Sequence, residues 1–168
     1  RGTDICLLSY GHMLHRVMQA VTKVTSSGVG VIDLFQVKPI DDSLLGVLSG
    51  YSNVITVEEQ CLSGGFGSAV IEAMADAGLQ KPIKRLGLPD RYFFENGGRE
   101  YLLDRYGLAI PDLVSAIDAL SNRNKIFSRV ADYYSRPEVE VLLRKTIFRL
   151  YKEGYINSNR SVVDIGCW

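Results

Sequence analysis

Strand-length apolar segments alternate with helix-length amphipathic segments along the first part of the chain. The strand-length segments are Ile5 to Leu8, Val29 to Phe35, Asn53 to Val57 and Pro82 to Leu88. The first helix between them is indicated by apolar residues at helical spacing, namely Leu14, Val17, Met18 and Val21. This alternation predicts a mainly parallel sheet with right-handed crossovers and helices on both faces. We therefore predict a three-layer α/β/α domain with about five strands, whose order the sequence does not determine.

Capping and turn residues mark where the helices begin and end. Asp41 and Asp42 are N-cap candidates for the second helix, and Gly78 stands where the third is expected to end. Pro111 opens a later helix, whose apolar pattern lapses around Ser121 to Asn124. The third helix is expected to bury one face, made of Phe66, Val70, Met74 and Ala77.

The end of the sequence is predicted to be a separate unit. We expect a domain over residues 1–122 and a helical extension over residues 123–168, with a helix from Ser135 to Gly154 and a strand from Ser161 to Ile165. The run from Val162 to Cys167 resembles the first strand and turn of an S-adenosylmethionine-dependent methyltransferase. Both interpretations stay open: the start of a truncated downstream domain, or an extra strand packed on the first domain.

Charge and composition argue against several kinds of partner. The 19 basic and 19 acidic residues balance, and no long basic run is present, so we expect neither nucleic acid nor an anionic membrane as a partner. The apolar runs are too short to span a bilayer, and three scattered cysteines fit reduced thiols. We expect a cytoplasmic protein. Because the first residue is Arg1 rather than Met, we also expect the sequence to be a piece of a longer polypeptide.

The glycine-rich stretch after the third strand looks at first like a dinucleotide-binding turn. Gly65 and Gly67 suit such a turn, but Val70 stands at the position of the third glycine. Glu58 and Glu59 would also repel a phosphate held at the helix N-terminus. The sequence therefore favours the alternative, in which the glycines allow a tight turn and a helix that starts close against a neighbouring backbone.

We assign no catalytic, cofactor-binding or metal residues from the sequence. His12 and His15 have the spacing of two metal ligands on a helix, but no third ligand is evident beside them. The apolar run Tyr92 to Phe94 lies in a loop, a pattern typical of packing against another domain or subunit. Asp90 and Arg91 suit an ion pair or a turn cap.

Several short motifs occur in the order and spacing of one enzyme family. They are Gly2 to Asp4, Ser9 to Met13, Val31 to Leu34, Lys38 to Asp41, Val57 to Glu59, Gly64 to Ser68 and Gly87 to Arg91. Together, over about residues 1–120, they resemble the C-terminal domain of the transketolase family of thiamine-diphosphate enzymes. Leu88 to Tyr92 and Tyr106 to Leu108 are most similar to the 1-deoxy-D-xylulose-5-phosphate synthases. Those enzymes usually have His where this chain has Asn96.

The resemblance implies a role in assembly rather than in chemistry. In that family, thiamine diphosphate lies between the first two domains across a dimer interface, and the third domain helps to build the dimer. Thiamine diphosphate, Mg²⁺ and the activating glutamate would then lie outside this chain. The parent enzyme would pass a two-carbon unit to an aldehyde, a step that serves isoprenoid biosynthesis. The implied partners are a second copy in a homodimer and the thiamine-binding domains of the parent.

Two hypotheses about function follow, and they share one set of candidate residues. The first is the third domain of a transketolase-type enzyme. The second is a stand-alone interaction or regulatory module that binds a partner or a small anion, with Gly67 and Ser68 as the anion position. The candidate anion or interface residues are Glu58, Glu59, Gly64, Gly65, Phe66, Gly67, Ser68, Asp90, Arg91, Tyr92, Phe93 and Phe94.

Overall fold

The structure is a computed structural model, which describes residues 3–134 and 137. The chain divides into two compact units, Arg1–Arg123 and Asn124–Trp168. The domain boundary expected at residue 122 stays a prediction. The predicted helix from Ser135 to Gly154 and the predicted strand from Ser161 to Ile165 lie outside the described residues, apart from Pro137.

Four parallel strands form one sheet in the order β2-β1-β3-β4. Their bounds are β1 Ile5–Ser9, β2 Val29–Asp33, β3 Asn53–Cys61 and β4 Ile83–Leu88. The two central strands are β1 and β3, and Ile5 pairs with Val29 on one side and with Asn53 on the other. The predicted parallel α/β architecture is confirmed. The described residues contain four strands rather than about five.

Helices cover both faces of this sheet. Their bounds are α1 Met13–Val21, α2 Asp42–Ser49, α3 Phe66–Asp76, α4 Gly98–Arg105 and α5 Ile110–Tyr134. The N-cap expected for α2 is confirmed, because the Asp41 carboxylate accepts a hydrogen bond of 2.7 Å from the Ser43 backbone N–H. Gly78 follows α3 with a φ of +67°, the left-handed conformation that ends many helices.

The apolar residues of the sheet divide between two cores. Successive side chains of a strand point to opposite faces, so Ile5 and Leu7 of β1 enter one core while Cys6 and Leu8 enter the other. The first core contains buried residues of α1, α4 and α5, and the second contains buried residues of α2 and α3. This arrangement fixes the three-layer α/β/α order.

Three helix details differ from the sequence prediction. Met18 was expected on the buried face of α1 but is 50% exposed, because the helix starts at Met13 and turns Met13 and Val17 into the core. Ala77 is exposed because α3 ends one residue before it. The lapse expected around Ser121 to Asn124 is absent, since α5 runs through these residues, where the sequence has neither Gly nor Pro.

Replacing Leu48 should test the second core. Its side chain is fully buried in α2, so Leu48→Ala should lower the free energy of unfolding by about 2–5 kcal/mol through lost packing and a residual cavity. Val47, the adjacent residue of the same helix, is 37% exposed, and Val47→Ala should cost less than about 1 kcal/mol. Urea unfolding followed by circular dichroism measures both. Equal losses would contradict the placement of α2.

Candidate interface at the carboxyl ends of the strands

Strand β3 carries the central feature of this region. The sequence predicted an end at Val57, but the strand continues to Cys61, and its pairing with β4 is irregular between these two residues. The longer strand brings Glu58 into the protein interior, where it is fully buried. A buried carboxylate requires hydrogen-bond donors or a positive charge close by.

The start of α3 supplies those donors. The Glu58 carboxylate accepts hydrogen bonds of 2.5 Å from the Phe66 backbone N–H and 2.9 Å from the Gly67 backbone N–H. The first N–H groups of a helix have no partner within the helix, and the helix dipole favours a negative charge beside them. The positive end of α3 is therefore neutralised by a carboxylate of the same chain.

Glycines allow this close approach. A Cβ atom on Gly67 would lie 2.5 Å from the Thr56 hydroxyl oxygen and 2.8 Å from Cδ of Arg85. A Cβ atom on Gly87 would lie 2.8 Å from Cγ of Glu58, and one on Gly65 would collide with the Glu58 carboxylate. The glycines thus bring the helix start and a neighbouring strand against Glu58, as the favoured interpretation of the stretch predicts.

Arg85 holds the loop that precedes α3. Its guanidinium donates to the Leu62 carbonyl oxygen at 2.6 Å and to the Ser68 hydroxyl at 2.9 Å, and that hydroxyl donates in turn to the Leu62 carbonyl at 2.9 Å. The loop that precedes α3 is thus fixed at Leu62 and at Ser68.

Burial raises the pKa of the Glu58 carboxyl above its ordinary value, while the two backbone hydrogen bonds and the Arg85 charge act in the opposite direction.

A groove of about 1090 Å³ opens beside this loop, between α2 and α3. It reaches the carboxyl ends of β1 and β3, where the Tyr10 hydroxyl donates to the Gln60 side-chain oxygen at 2.5 Å. Its charged lining residues are Lys38, Asp42, Glu72 and Asp76. Three carboxylates against one amine make this groove unfavourable for an anion.

The second candidate segment, Asp90 to Phe94, packs against Tyr106, the residue that follows α4. The Phe93 ring packs edge-on against Tyr106, with their centroids 4.9 Å apart. The Arg91 guanidinium lies 4.9 Å from the Tyr106 ring centroid and donates to its hydroxyl, which itself donates to Glu95. These contacts constrain the backbone around the aromatic run.

The two neighbours of Phe93 point away from the protein. Tyr92 is 87% exposed and Phe94 is 91% exposed, and their ring centroids are 6.5 Å apart. Asp90 and Arg91 are also exposed. Two neighbouring aromatic side chains with this exposure form a candidate contact surface for another protein.

The structure brings the candidate residues to the end of the sheet where the carboxyl ends of the strands lie, but it does not bring them into one cluster. Glu58 lies near the end of β3, and the aromatic run from Tyr92 to Phe94 follows β4. Glu59 is separate from Glu58 and pairs with Arg99 at 2.5 Å. The predicted anion position at Gly67 and Ser68 stays a prediction, although Glu58 already occupies two N–H donors there.

The sequence alone predicted neither the contacts of Arg85 nor the exposure of Phe35. Arg85 lies within the predicted strand from Pro82 to Leu88, and no local pattern marks it, because its partners come from a loop distant in sequence. Phe35 was placed in a strand, but β2 ends at Asp33 and leaves Phe35 90% exposed. Asp33, a charged residue inside the apolar run, was the one available signal for the earlier end.

The two histidines remain on the surface of α1 and the turn before it. The ring centroids of His12 and His15 are 5.5 Å apart. Within residues 3–134 and 137, no group of three or more His, Cys, Asp or Glu side chains is arranged to hold a metal ion. In the same part of the chain, no helix combines the length and apolar character needed to cross a membrane.

A family model and two named relatives each match about two thirds of this chain. The family model for the transketolase C-terminal domain matches residues 1–113. The 1-deoxy-D-xylulose-5-phosphate synthase of Gloeobacter violaceus is 38% identical over 119 residues, which are 69% of this chain and 18% of that protein. The synthase of Acidovorax sp. strain JS42 is 42% identical over 108 residues, or 64% of this chain and 16% of that protein. The chain thus spans less than a fifth of these two relatives.

A solved structure is also similar. It is described as a split gene transketolase, an inactive beta4 tetramer, and it superposes with a TM-score of 0.63 at 29% sequence identity. The match covers 73% of this chain and 40% of that chain.

Replacing Glu58 should test the carboxylate at the start of α3. In Glu58→Gln, the side-chain amide keeps one acceptor but turns an NH₂ group toward a backbone N–H, so the free energy of unfolding should fall by about 1–3 kcal/mol. The adjacent Glu59→Gln removes a partly exposed ion pair and should cost no more than about 1 kcal/mol. Urea unfolding at neutral pH measures both, and equal effects would contradict the proposed role of Glu58.

Two glycine variants should separate close approach from helix propensity. Gly67→Ala forces a methyl group against Thr56 and Arg85 and should destabilise the protein by about 1–3 kcal/mol. Gly46 lies in α2 with no atom within 4 Å of an added Cβ, so Gly46→Ala should instead stabilise it by about 0.5–1 kcal/mol. Thermal unfolding gives the sign of each change. Stabilisation by Gly67→Ala would show that the helix start tolerates a side chain.

Proposed function

This chain belongs to the transketolase C-terminal domain family, and on that premise we propose that it is the third, non-catalytic domain of a thiamine-diphosphate-dependent enzyme. Its similarity to 1-deoxy-D-xylulose-5-phosphate synthases supports a parent enzyme of that type. The parent transfers a two-carbon unit to an aldehyde acceptor, and its other domains hold thiamine diphosphate and Mg²⁺. The cofactor supplies the carbanion chemistry, whereas this domain supplies a docking surface.

The exposed aromatic pair carries the assembly role. Tyr92 and Phe94 lie on a loop that Phe93, Arg91 and Tyr106 already hold in place. A docking partner therefore gains the buried area of two aromatic rings, about 150–250 Å² each, without ordering the loop first. We assign this surface to the contact with the thiamine-binding domains of the parent, which functions as a cytoplasmic homodimer.

The Glu58 group supports a structural rather than a catalytic role. Its carboxylate is committed to two backbone N–H groups, and Gly65 and Gly87 pack directly against it. A general acid or base must reach a proton of the substrate, and this one is fully buried. Its function in the proposed enzyme is to hold the loop from Leu62 to Gly65 in one conformation.

A chimeric enzyme tests the proposal. Residues 1–122 would replace the matching C-terminal region of the Gloeobacter violaceus synthase, and formation of 1-deoxy-D-xylulose 5-phosphate would be measured. We expect activity in the chimera and none in the 168-residue chain alone. The double change Tyr92→Ser and Phe94→Ser should lower the chimera's activity at least tenfold, because the domain no longer docks stably.

A matched variant controls for loss of surface aromatic area. Tyr101, on α4, is 47% exposed, and Tyr101→Ser should leave the activity of the chimera within about twofold. Full activity in the double variant would exclude the aromatic pair as the docking contact. An inactive chimera that is correctly folded by circular dichroism would contradict the assignment to a synthase-type parent.

A further inference from the structure

Asn96 and Gly97 form the one Asn-Gly pair in the sequence. They lie between the aromatic run from Tyr92 to Phe94 and the start of α4. In such a pair, the side-chain amide of asparagine is readily attacked by the next backbone nitrogen, because glycine has no side chain to hinder the approach. A chemically reactive dipeptide therefore stands beside the loop that carries the exposed aromatic pair.

The local structure leaves this dipeptide open to reaction. Both residues are exposed, and neither belongs to a helix or a strand. In the part of the chain that the structure describes, no hydrogen bond involves the Asn96 side chain or the Gly97 N–H. The Gly97 nitrogen is therefore free to turn toward the Asn96 side chain.

Packing explains why glycine occupies position 97. A Cβ atom on Gly97 would collide with the ring of Tyr101, which lies in the first turns of α4. Any other residue at this position would have to displace that ring. The fold thus requires the glycine that makes Asn96 reactive.

Two other asparagines are held in regular structure. Asn53 is buried, and the nitrogen that would attack it, that of Val54, donates to the Pro82 carbonyl at 3.0 Å. Asn122 lies within α5, where helix hydrogen bonds oppose the rotation that an attack requires. Because Asn122 is exposed, it matches Asn96 in access to water but not in backbone freedom.

We propose that Asn96 is a site of spontaneous covalent modification, in which its side-chain amide becomes a carboxylate. The Gly97 nitrogen loses its proton and bonds to Cγ of Asn96. The bond from Cγ to the side-chain nitrogen breaks, and ammonia leaves with that proton. Water then opens the five-membered succinimide at either carbonyl and gives aspartate or isoaspartate. One water is consumed and one ammonia is released.

Both products place a negative charge directly before Gly97, the N-cap of α4. The helix dipole favours a negative charge at this end. The adjacent Glu95 lies 3.6 Å from Arg91 and 3.7 Å from Arg105, so positive charge is already present nearby. The fold therefore accepts the new charge.

Isoaspartate also lengthens the main chain by one carbon atom. On one side of the insertion, α4 is anchored by the buried Leu103 and by Arg16, which pairs with two carboxylates of this helix. On the other side, the loop is held through Tyr106, where Phe93 packs and Glu95 accepts a hydrogen bond. Because the helix anchors include a buried side chain, we expect the extra atom to displace the loop.

Peptide mapping by mass spectrometry, after incubation of the folded 168-residue chain at mildly alkaline pH, tests the reaction. The peptide that contains Asn96 should gain about one dalton. This gain should be at least tenfold faster than in the peptides that contain Asn53 and Asn122. In the chain unfolded in guanidinium chloride, the rate at Asn96 should stay within about threefold, because the fold does not hold this residue.

Two variants separate the reaction from its consequence. Asn96→Gln would have to form a six-membered ring, so its conversion should be at least about tenfold slower. In the purified isoaspartate form, amide hydrogen exchange from Tyr92 to Glu95 should rise at least about threefold. Asn96→Asp carries the charge without the longer main chain, and its exchange should stay within about twofold of the unmodified chain.

The reaction uses groups of this domain alone, so it is independent of the proposed docking. Three results would overturn the proposal. The first is an Asn96 that stays intact in the folded chain. The second is conversion of Asn53 or Asn122 as fast as that of Asn96. The third is an isoaspartate form whose loop amides exchange as before, because the loop would then not be displaced.

Discussion

The region at the carboxyl ends of the strands depends on the hydrogen bonds between the Glu58 carboxylate and the start of α3. They join β3 to α3 across the glycine-rich turn. Strand β3 runs past Val57, and Glu58 lies buried within this longer strand. Without this carboxylate, the first N–H groups of α3 would be buried with no acceptor, a cost comparable to a lost hydrogen bond for each.

The same geometry resolves the likeness of this stretch to a nucleotide-binding turn. Both structures place a negative group at the positive end of a helix and need glycine where the backbone approaches that group. Here the negative group is a side chain of the same strand, so Gly65, Gly67 and Gly87 make room for a glutamate rather than for a phosphate. Arg85 adds the positive charge and fixes the Leu62 carbonyl.

The constrained loop at the carboxyl ends of the strands is the feature that suits a role in a larger assembly. It presents Tyr92 and Phe94 outward, which suits a partner of complementary shape. Because contacts within the domain already hold the loop, a partner does not have to order it on binding.

The sequence by itself determined the parallel α/β class, the positions of four strands, the Asp41 cap and the family, because these depend on local periodicity, capping chemistry and short motifs in order. Tertiary structure decided the strand order and the burial of Glu58. It also placed Met13 rather than Met18 in the core, and it turned Phe93 inward between exposed neighbours. These features depend on contacts between residues distant in sequence. Glu58 meets the start of α3 only after the chain turns back on itself, and no local pattern distinguishes this buried carboxylate from the partly exposed Glu59 beside it.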